Sequence, residues 1–351
     1  MQTIKIGSNQ AGQRLDKMLH KSLPRAGSGF LYKMLRKKNI TLNGKKAEGK
    51  EILKPGDEVQ CFFSEETFEK FSGGLEEALR DVAQYQKAYH TLRGIEILYE
   101  DKDTLIVNKP AGILSQKAAA SDVSLNEWLT GWLLHSGQIT AQELSVFHPS
   151  VCNRLDCNTS GIVLCGKSLA GSRAFSQMLQ DRSLHKYYHT ICVGEIRESR
   201  RIEGYLTKNH STNKVIIQAL SDEKKHSDYI CTAYKPLAVS EGFTLLEVEL
   251  ITGKPHQIRA HLADIGHPVL GDFKYGDARV NRRAREQFGL KHQLLHACRV
   301  IFPSESELLP DLRGHEIRAP YPGEFKNIKE VYFHGDLEFQ RSSGFYPGGH
   351  D

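Results

Sequence analysis

An acid, a phenol and a guanidinium stand in three short motifs of this sequence whose side chains could together do covalent or acid–base work. Asp156 lies in Asn153-Arg154-Leu155-Asp156-Cys157-Asn158-Thr159-Ser160-Gly161. Turn formers flank it and Gly161 opens an apolar run, so the carboxylate sits on a loop beside a rigid strand, where catalytic groups concentrate. Taken alone, Asp156 is better read as an acid tying down its own loop through side chain to backbone bonds. Lys186-Tyr187-Tyr188 begins a strand farther on. Thr252-Gly253-Lys254-Pro255-His256-Gln257-Ile258-Arg259-Ala260-His261-Leu262 ends a strand and opens a helix. Each has a plain reading too: strand aromatics pack cores, and a helical Arg usually reaches water. As a set they supply more. An Arg beside Asp156 would keep it ionised, and an aromatic beside it could stack on a nucleobase.

Other constellations carry less. Gly161-Ile162-Val163-Leu164-Cys165-Gly166-Lys167-Ser168 spells the phosphate-loop pattern. That pattern needs a flexible loop with amides facing phosphates, whereas Ile, Val, Leu and Cys read as a strand. Sixteen histidines raise the question of a metal. His256 and His261 are five apart, off the i, i+4 face of helical zinc motifs, and no C-x-x-C pair assists them, so no metal is expected. A glycoside hydrolase needs two carboxylates, and no second acid accompanies Asp156 in these motifs.

The elements that must position these residues are mostly strands. Residues 95–99 and 104–108 read as a hairpin, 125–134 as an apolar helix and 161–165 as a buried strand. Ala174, Phe175, Met178 and Leu179 mark one face of a following helix. Strands at 187–193, 215–218, 229–234 and 243–252 precede a helix at 256–265 and a last strand at 293–302. Many strands with few helices between them imply an α+β fold with a largely antiparallel sheet.

Ahead of this lies a basic module, residues 12–63. Leu15, Met18, Leu19 and Leu23 recur at helical spacing, and residues 30–38 form a second helix with Lys33, Arg36 and Lys37 on one face. Strands at 40–42 and 58–61 follow, with Asn43-Gly44 as a turn and Lys45 and Lys46 in the loop region after it. Eight basic residues between positions 33 and 54 form a face able to neutralise phosphates, with little readout of sequence. Residues 64–94 read as a partly helical linker. The Gly- and Ser-rich end, 336–351, is expected to be disordered.

Bulk properties set outer bounds. The 351 residues are 39% hydrophobic and 25% charged with a formal net charge of +5, an ordinary globular composition with a mild basic bias. No apolar run approaches the roughly 20 residues needed to span a bilayer, and the first residues lack an apolar signal core. Seven unpatterned cysteines read as reduced thiols. The expectation is a cytoplasmic monomer without a membrane partner.

Three segments, in matching order and spacing, resemble the RluA-type pseudouridine synthases. Residues 153–161 are similar to that family's H-R-L-D-x-x-T-S-G, and Lys186-Tyr187-Tyr188 to its K-x-Y. Residues 252–262, with Gly266-His267-Pro268-Val269-Leu270-Gly271-Asp272, are similar to T-G-R-x-H-Q-I-R-x-H-L…G-H-P-x-x-G-D. Glu100-Asp101 and Leu105-Ile106-Val107-Asn108-Lys109-Pro110-Ala111-Gly112 look like its opening hairpin. The likeness spans about residues 95–303 and implies a catalytic domain over 95–335. The module at 12–63 resembles the S-four-like RNA-binding domain in Arg14-Leu15-Asp16-Lys17, Ile40-Thr41-Leu42-Asn43-Gly44 and Leu53-Lys54-Pro55-Gly56-Asp57.

The resemblance implies a uridine taken out of its stack and isomerised in place, without metal or organic cofactor. Asp156 would act on the nucleotide, Tyr188 would lie against the base, and Arg259 would partner the acid. Arg154 would hold the vacated position. Lys186 is counted with the substrate-binding residues, and Ile258 and Leu270 would line the pocket. Lys33, Arg36, Lys37, Lys45 and Lys46 would meet RNA, with ribosomal RNA of the large subunit ahead of transfer RNA as the partner. Asn153 stands where His is usual, and Lys254-Pro255 where an Arg-Thr pair is common. Neither change removes a proposed catalytic group. The competing class is a non-catalytic RNA-binding or ribosome-assembly protein that keeps the fold; intact Asp156, Tyr188 and Arg259 speak against it.

Overall fold

Apolar residues three and four apart in the first hundred positions drive helices onto a small sheet. In chain order this segment runs β1 (Gln2–Lys5), α1 (Leu15–Ser22), α2 (Ser28–Arg36), β2 (Ile40–Leu42), β3 (Lys45–Lys46) and β4 (Glu58–Cys61), with strand order β1-β4-β2-β3. The computed structural model describes residues 1–333 except 8, 73–74, 145–146, 210–213, 219–226 and 241, so the expected disordered tail lies outside the described residues. Leu15, Met18 and Leu19 of α1 and Leu31 and Leu35 of α2 are buried with Ile40 and Val59 in one cluster. Asn43 and Gly44 both take positive φ (52° and 71°), as a two-residue hairpin turn requires. That turn joins β2 to β3, so Lys45 and Lys46, read as loop, lie on a strand. β1 is an edge strand that the sequence pattern did not announce.

Residues 64–94 hold two helices, α3 (Glu65–Ser72) and α4 (Leu75–Thr91), and they serve different cores. From α3, Phe71 packs against Phe30 with ring centroids 4.4 Å apart, joining the N-terminal cluster. α4 instead packs along α5 (Leu125–His135). At Gly131 of α5 an added Cβ would land on the Tyr85 carbonyl, so the two helices meet backbone to backbone.

The chain divides into two compact units, Met1–Lys186 with Ala297–Pro320, and Tyr187–His296 with Tyr321–Asp351. Beyond the N-terminal segment, the first unit contains β5 (Glu96–Glu100), β6 (Thr104–Lys109), α5, α6 (Ala141–Leu144), β7 (Ser150–Val151), β8 (Ser160–Gly166) and α7 (Leu169–Gln180). β6 pairs antiparallel with both β5 and β8, and β7 with β8. β8 is buried along its whole length, and Ser168 caps α7 by accepting from the Gly171 N–H at 3.0 Å. The phosphate-loop spelling is therefore a core strand running into a capped helix. Phe175 and Met178 of α7 cover Ile162, Leu164 and Ile106.

The second unit is built on β9 (His185–Val193), β10 (Arg200–Asn209), β11 (Lys214–Gln218), β12 (Asp228–Ser240) and β13 (Phe243–Leu250), all antiparallel, in the order β11-β10-β12-β13-β9. It adds α8 (Gln257–Asp264), α9 (Ala278–Phe288) and, after β14 (Leu295–Ile301) and β15 (Glu316–Arg318), the final α10 (Gly323–Phe333). The chain leaves the first unit within β9 and returns to it within β14. The whole is mixed α+β with mostly antiparallel pairing, as the sequence implied. Among the described residues no helix is long and apolar enough to cross a membrane.

Candidate active site

The Asp156 loop connects β7 to β8 and is held from three directions, all within the first unit. From β8, the Asn153 side chain accepts from the Leu164 N–H (2.7 Å) and donates to the Ile162 carbonyl (3.3 Å). The residue that departs from the family pattern thus serves as a clamp on the strand. From the other side, buried Ser115 accepts from the Leu155 N–H at 3.0 Å and donates to its carbonyl at 2.9 Å, fixing the residue before the acid. Thr159 N–H closes a turn on the Asp156 carbonyl at 3.0 Å.

The third hold is Lys109, at the end of β6 and fully buried. Its ammonium donates to the carbonyls of Pro110 (3.0 Å), Ile113 (2.8 Å) and Cys157 (3.1 Å). Gly112 N–H meets the same Cys157 carbonyl at 2.9 Å. Burial lowers the lysine to about 8, while the charges of Cys157 and Asp156 act in the opposite direction. Lys109 therefore places a cation in the field of Asp156 and ties residues 110–113 to the loop. Asp156 itself is half-buried and Arg154 is exposed. Gly161, where the loop enters β8, has φ +114°, and a Cβ there would fall on the Ala297 backbone. Only glycine permits that approach.

In the second unit, Arg259 is buried on α8 and makes a two-pronged bond to Asp272, Nε to Oδ2 at 2.7 Å and Nη2 to Oδ1 at 2.8 Å. Asp272 Oδ1 also accepts from the N–H groups of Lys274 (2.9 Å) and Tyr275 (3.1 Å). Burial alone would push this carboxyl up; the bonds and charge of Arg259, with the two backbone donors, outweigh it and hold it below the usual range. The Arg259 guanidinium lies 5.2 Å from the Tyr275 ring centroid, and the Tyr275 hydroxyl meets His256 Nδ1 at 2.9 Å. Such a fork pre-sets the direction of the guanidinium.

The rest of that motif fastens α8. Gln257 donates to the Cys231 carbonyl and the Thr232 hydroxyl, both at 2.9 Å, and accepts from the Thr252 hydroxyl at 2.9 Å. His261 Nδ1 lies 2.8 Å from the Thr232 hydroxyl, and burial lowers the imidazole to about 4. It is a neutral bolt between helix and strand.

Asp156, Arg154 and Lys186 belong to the first unit; Tyr188, Ile258, Arg259 and Leu270 belong to the second. Tyr188 is buried on β9 opposite Val248 of β13. Lys186 is half-buried, and that burial, with Arg182, lowers its ammonium. Ile258 is buried on α8, while Leu270 sits inside the core with Ile191, Leu245 and Leu290. Lys33, Arg36 and Lys37 are exposed at the end of α2, and Lys45 and Lys46 are exposed on β3. Sequence reasoning gave no role to Lys109, Ser115 or Asp272. Lys109 and Asp272 stood inside quoted motifs; Ser115 carried no signal.

Comparison with known proteins points the same way. Residues 103–264 match the family described as RNA pseudouridylate synthase. A ribosomal large subunit pseudouridine synthase C of Vibrio parahaemolyticus is 28% identical over 332 residues, covering 93% of this chain and 95% of its own. The protein of that name from Pasteurella multocida is 29% identical over 343 residues, covering 97% and 95%. Among solved structures, human RNA pseudouridylate synthase domain containing 4 superposes with a TM-score of 0.53 at 19% identity, covering 72% of this chain and 96% of that one. Human RNA pseudouridylate synthase domain containing 1 gives 0.50 at 22% identity, with 65% and 84% covered. These two show a shared fold. With the motifs, the sequence match and the fold in agreement, the chain is a homologue of the RNA pseudouridylate synthase family, of the RluA type.

Proposed function

We propose that this protein converts a uridine in structured RNA to pseudouridine, with Asp156 as the nucleophile and large-subunit ribosomal RNA as the target. Homology to pseudouridine synthases supports the isomerase class and an RNA partner in general. The observation that carries the finer reading is the half-buried Asp156, presented on a loop clamped by Lys109, Ser115 and Asn153 with the Lys109 cation in its field. Uridine and pseudouridine are isomers, so no oxidant or co-reactant is consumed. The C1′–N1 bond breaks, C1′–C5 forms, C5 releases a proton and N1 takes one up. An ionised carboxylate serves this whether it adds to the ring, adds to the sugar carbon or removes a sugar proton.

In this reading the uridine leaves its stack to reach the acid, Arg154 fills the vacated position and Tyr188 lies against the base. Arg259, aimed by Asp272, partners Asp156. Residues 12–63 act as an S-four-like module that meets phosphates through Lys33, Arg36, Lys37, Lys45 and Lys46. A large-subunit target rests on the names borne by the relatives and on this appended basic module. Seven cysteines without a paired pattern suit a reducing cytoplasm.

The test is to map pseudouridines in ribosomal RNA from cells with and without the protein, and to complement the deletion with Asp156→Asn. At least one large-subunit position should lose its pseudouridine, wild type should restore it, and the variant should bind the RNA without restoring it. Unchanged pseudouridine at every position would favour the binding-only class.

A further inference from the structure

Helix α9 (Ala278–Phe288) lies outside every motif described above. Its inner face packs Val280, Ala284 and Phe288 into the core of the second unit. Its outer face carries Arg279, Arg282 and Arg283 at i, i+3 and i+4, all exposed, with Glu286 as the one acid among them. The bland interpretation is a solvated helix face, yet three features count against it. Like charges at this spacing repel along the helix, and cations in the first turns oppose the helix dipole. Arg279 attracts the cap carboxylate of Asp277, but among the described residues no acid is shown paired with Arg282 or Arg283. Those two therefore do not serve the stability of α9.

Phe273 is the second observation. It lies on the turn that leads into α9, between Asp272 and the helix cap Asp277, and is 60% exposed. An exposed aromatic ring a few residues ahead of an arginine stripe offers a stacking face to go with phosphate ligands.

Third, this surface is rigid with the machinery already described. Asn281 is buried; its Oδ1 accepts from the Gly271 N–H at 2.8 Å and its Nδ2 donates to the Asp272 carbonyl at 2.9 Å. The helix is thus bolted to the residue that aims Arg259. A strand docked on α9 would hold a fixed register to that guanidinium.

We infer that α9 and Phe273 form a second RNA-docking surface, separate from the N-terminal basic face, in which Arg279, Arg282 and Arg283 take consecutive phosphates and Phe273 stacks one unpaired base. Guanidinium forks suit phosphate oxygens, and every base offers a π-face to an exposed ring. An anionic membrane does not fit, because the apolar face of α9 is already buried. An acidic protein would leave the exposed Phe273 ring without a function. The inference rests on the proposed RNA substrate.

The test uses the full chain and fluorescence anisotropy with two labelled probes, a stem–loop RNA with a uridine-containing single-stranded loop and a fully paired RNA of the same length. Arg279→Gln/Arg282→Gln/Arg283→Gln should weaken stem–loop binding by about 30-fold in 0.1 M salt and flatten the log K against log salt slope by about 2, near 0.7 per phosphate. The same three positions changed to Lys should restore the slope, which a merely structural role would not do. Phe273→Ala should weaken the stem–loop by about tenfold, leave the slope unchanged, and leave the paired RNA unaffected. Wild-type affinity and slope in both Gln and Ala variants would overturn the inference. So would unchanged RNA binding together with a loss of binding to polyglutamate or to anionic phospholipid vesicles. If wild type binds neither RNA and converts no uridine, the proposed function itself fails, and the inference with it; if wild type does both and the variants match it, only the inference fails.

Discussion

Lys109 carries a charge into a fully buried position and spends its donors on three carbonyls, one of them in the Asp156 loop. With the ammonium lowered to about 8, raising the pH through that value removes both a donor and the cation near Asp156. Single-turnover pseudouridine formation should therefore fall along a one-proton limb centred near pH 8. Lys109→Met should be slower by about tenfold or more and should lack that limb; a wild-type profile flat to pH 9.5 would rule this out. The linked effect on stability has the opposite sense. Between about 8 and 10.5 the unfolded chain holds a proton that the folded chain has released, so the unfavourable burial is fully felt below pH 8 and relieved above 10.5. Ser115→Ala should cost about 1–3 kcal/mol in urea unfolding, because it strands a buried N–H and carbonyl of Leu155. A cost under about 0.5 kcal/mol would mean the loop finds other partners. Asp156, Tyr188 and Arg259 were read as a set from motif order alone. Lys109 was not, since a lysine ending a strand reads as surface unless its three carbonyl partners are seen.

At the scale of elements, two close backbone approaches decide the packing of the first unit. Gly161→Ala meets both a forbidden φ and the Ala297 backbone, so either β8 or β14 must shift. We expect a loss of several kcal/mol or failure to fold, read by thermal unfolding. Gly131→Ala should act more locally, by prising α4 from α5. Hydrogen exchange should then rise in residues 82–91 while β6 and β8 keep their protection; uniform loss would show that α4 is not a separable element. Most strands and the helices α1, α2, α5, α7 and α8 were readable from period and caps, whereas β1, β3, β7, β10 and β15 were not. The segment 64–94 was readable only as partly helical, because its polar, Glu-rich start hides that Phe68 and Phe71 join the N-terminal core. α9 escaped notice for a related reason: an arginine-rich helix looks solvated until its inner face and Asn281 are placed.

For the molecule as a whole, affinity for RNA should divide between two basic faces, one in each unit. Neutralising Lys33, Arg36, Lys37, Lys45 and Lys46 with Gln should flatten the salt slope by up to about 3.5 and weaken binding most at low salt. Conversion of bound RNA at saturation should persist, since Asp156 and its clamps are untouched. An unchanged slope would remove the N-terminal module from the RNA contact. The overall class was legible because composition, the basic module and the motifs agreed. The division into two units was not, because nothing in the linear order announces that 297–320 returns to the first.

That return has a consequence for how the protein is made. All of Tyr187–His296 emerges from the ribosome before Ala297, the residue against which Gly161 is fitted. The pairing that anchors the exit of the Asp156 loop therefore has high contact order and cannot form during the synthesis of its own neighbourhood. A nascent chain stalled before residue 297 should expose the 153–161 loop to protease, and one stalled beyond 320 should protect it. Asp156 would then be among the last groups to settle, and a chain that ends before Ala297 would hold its loop without the anchor at Gly161.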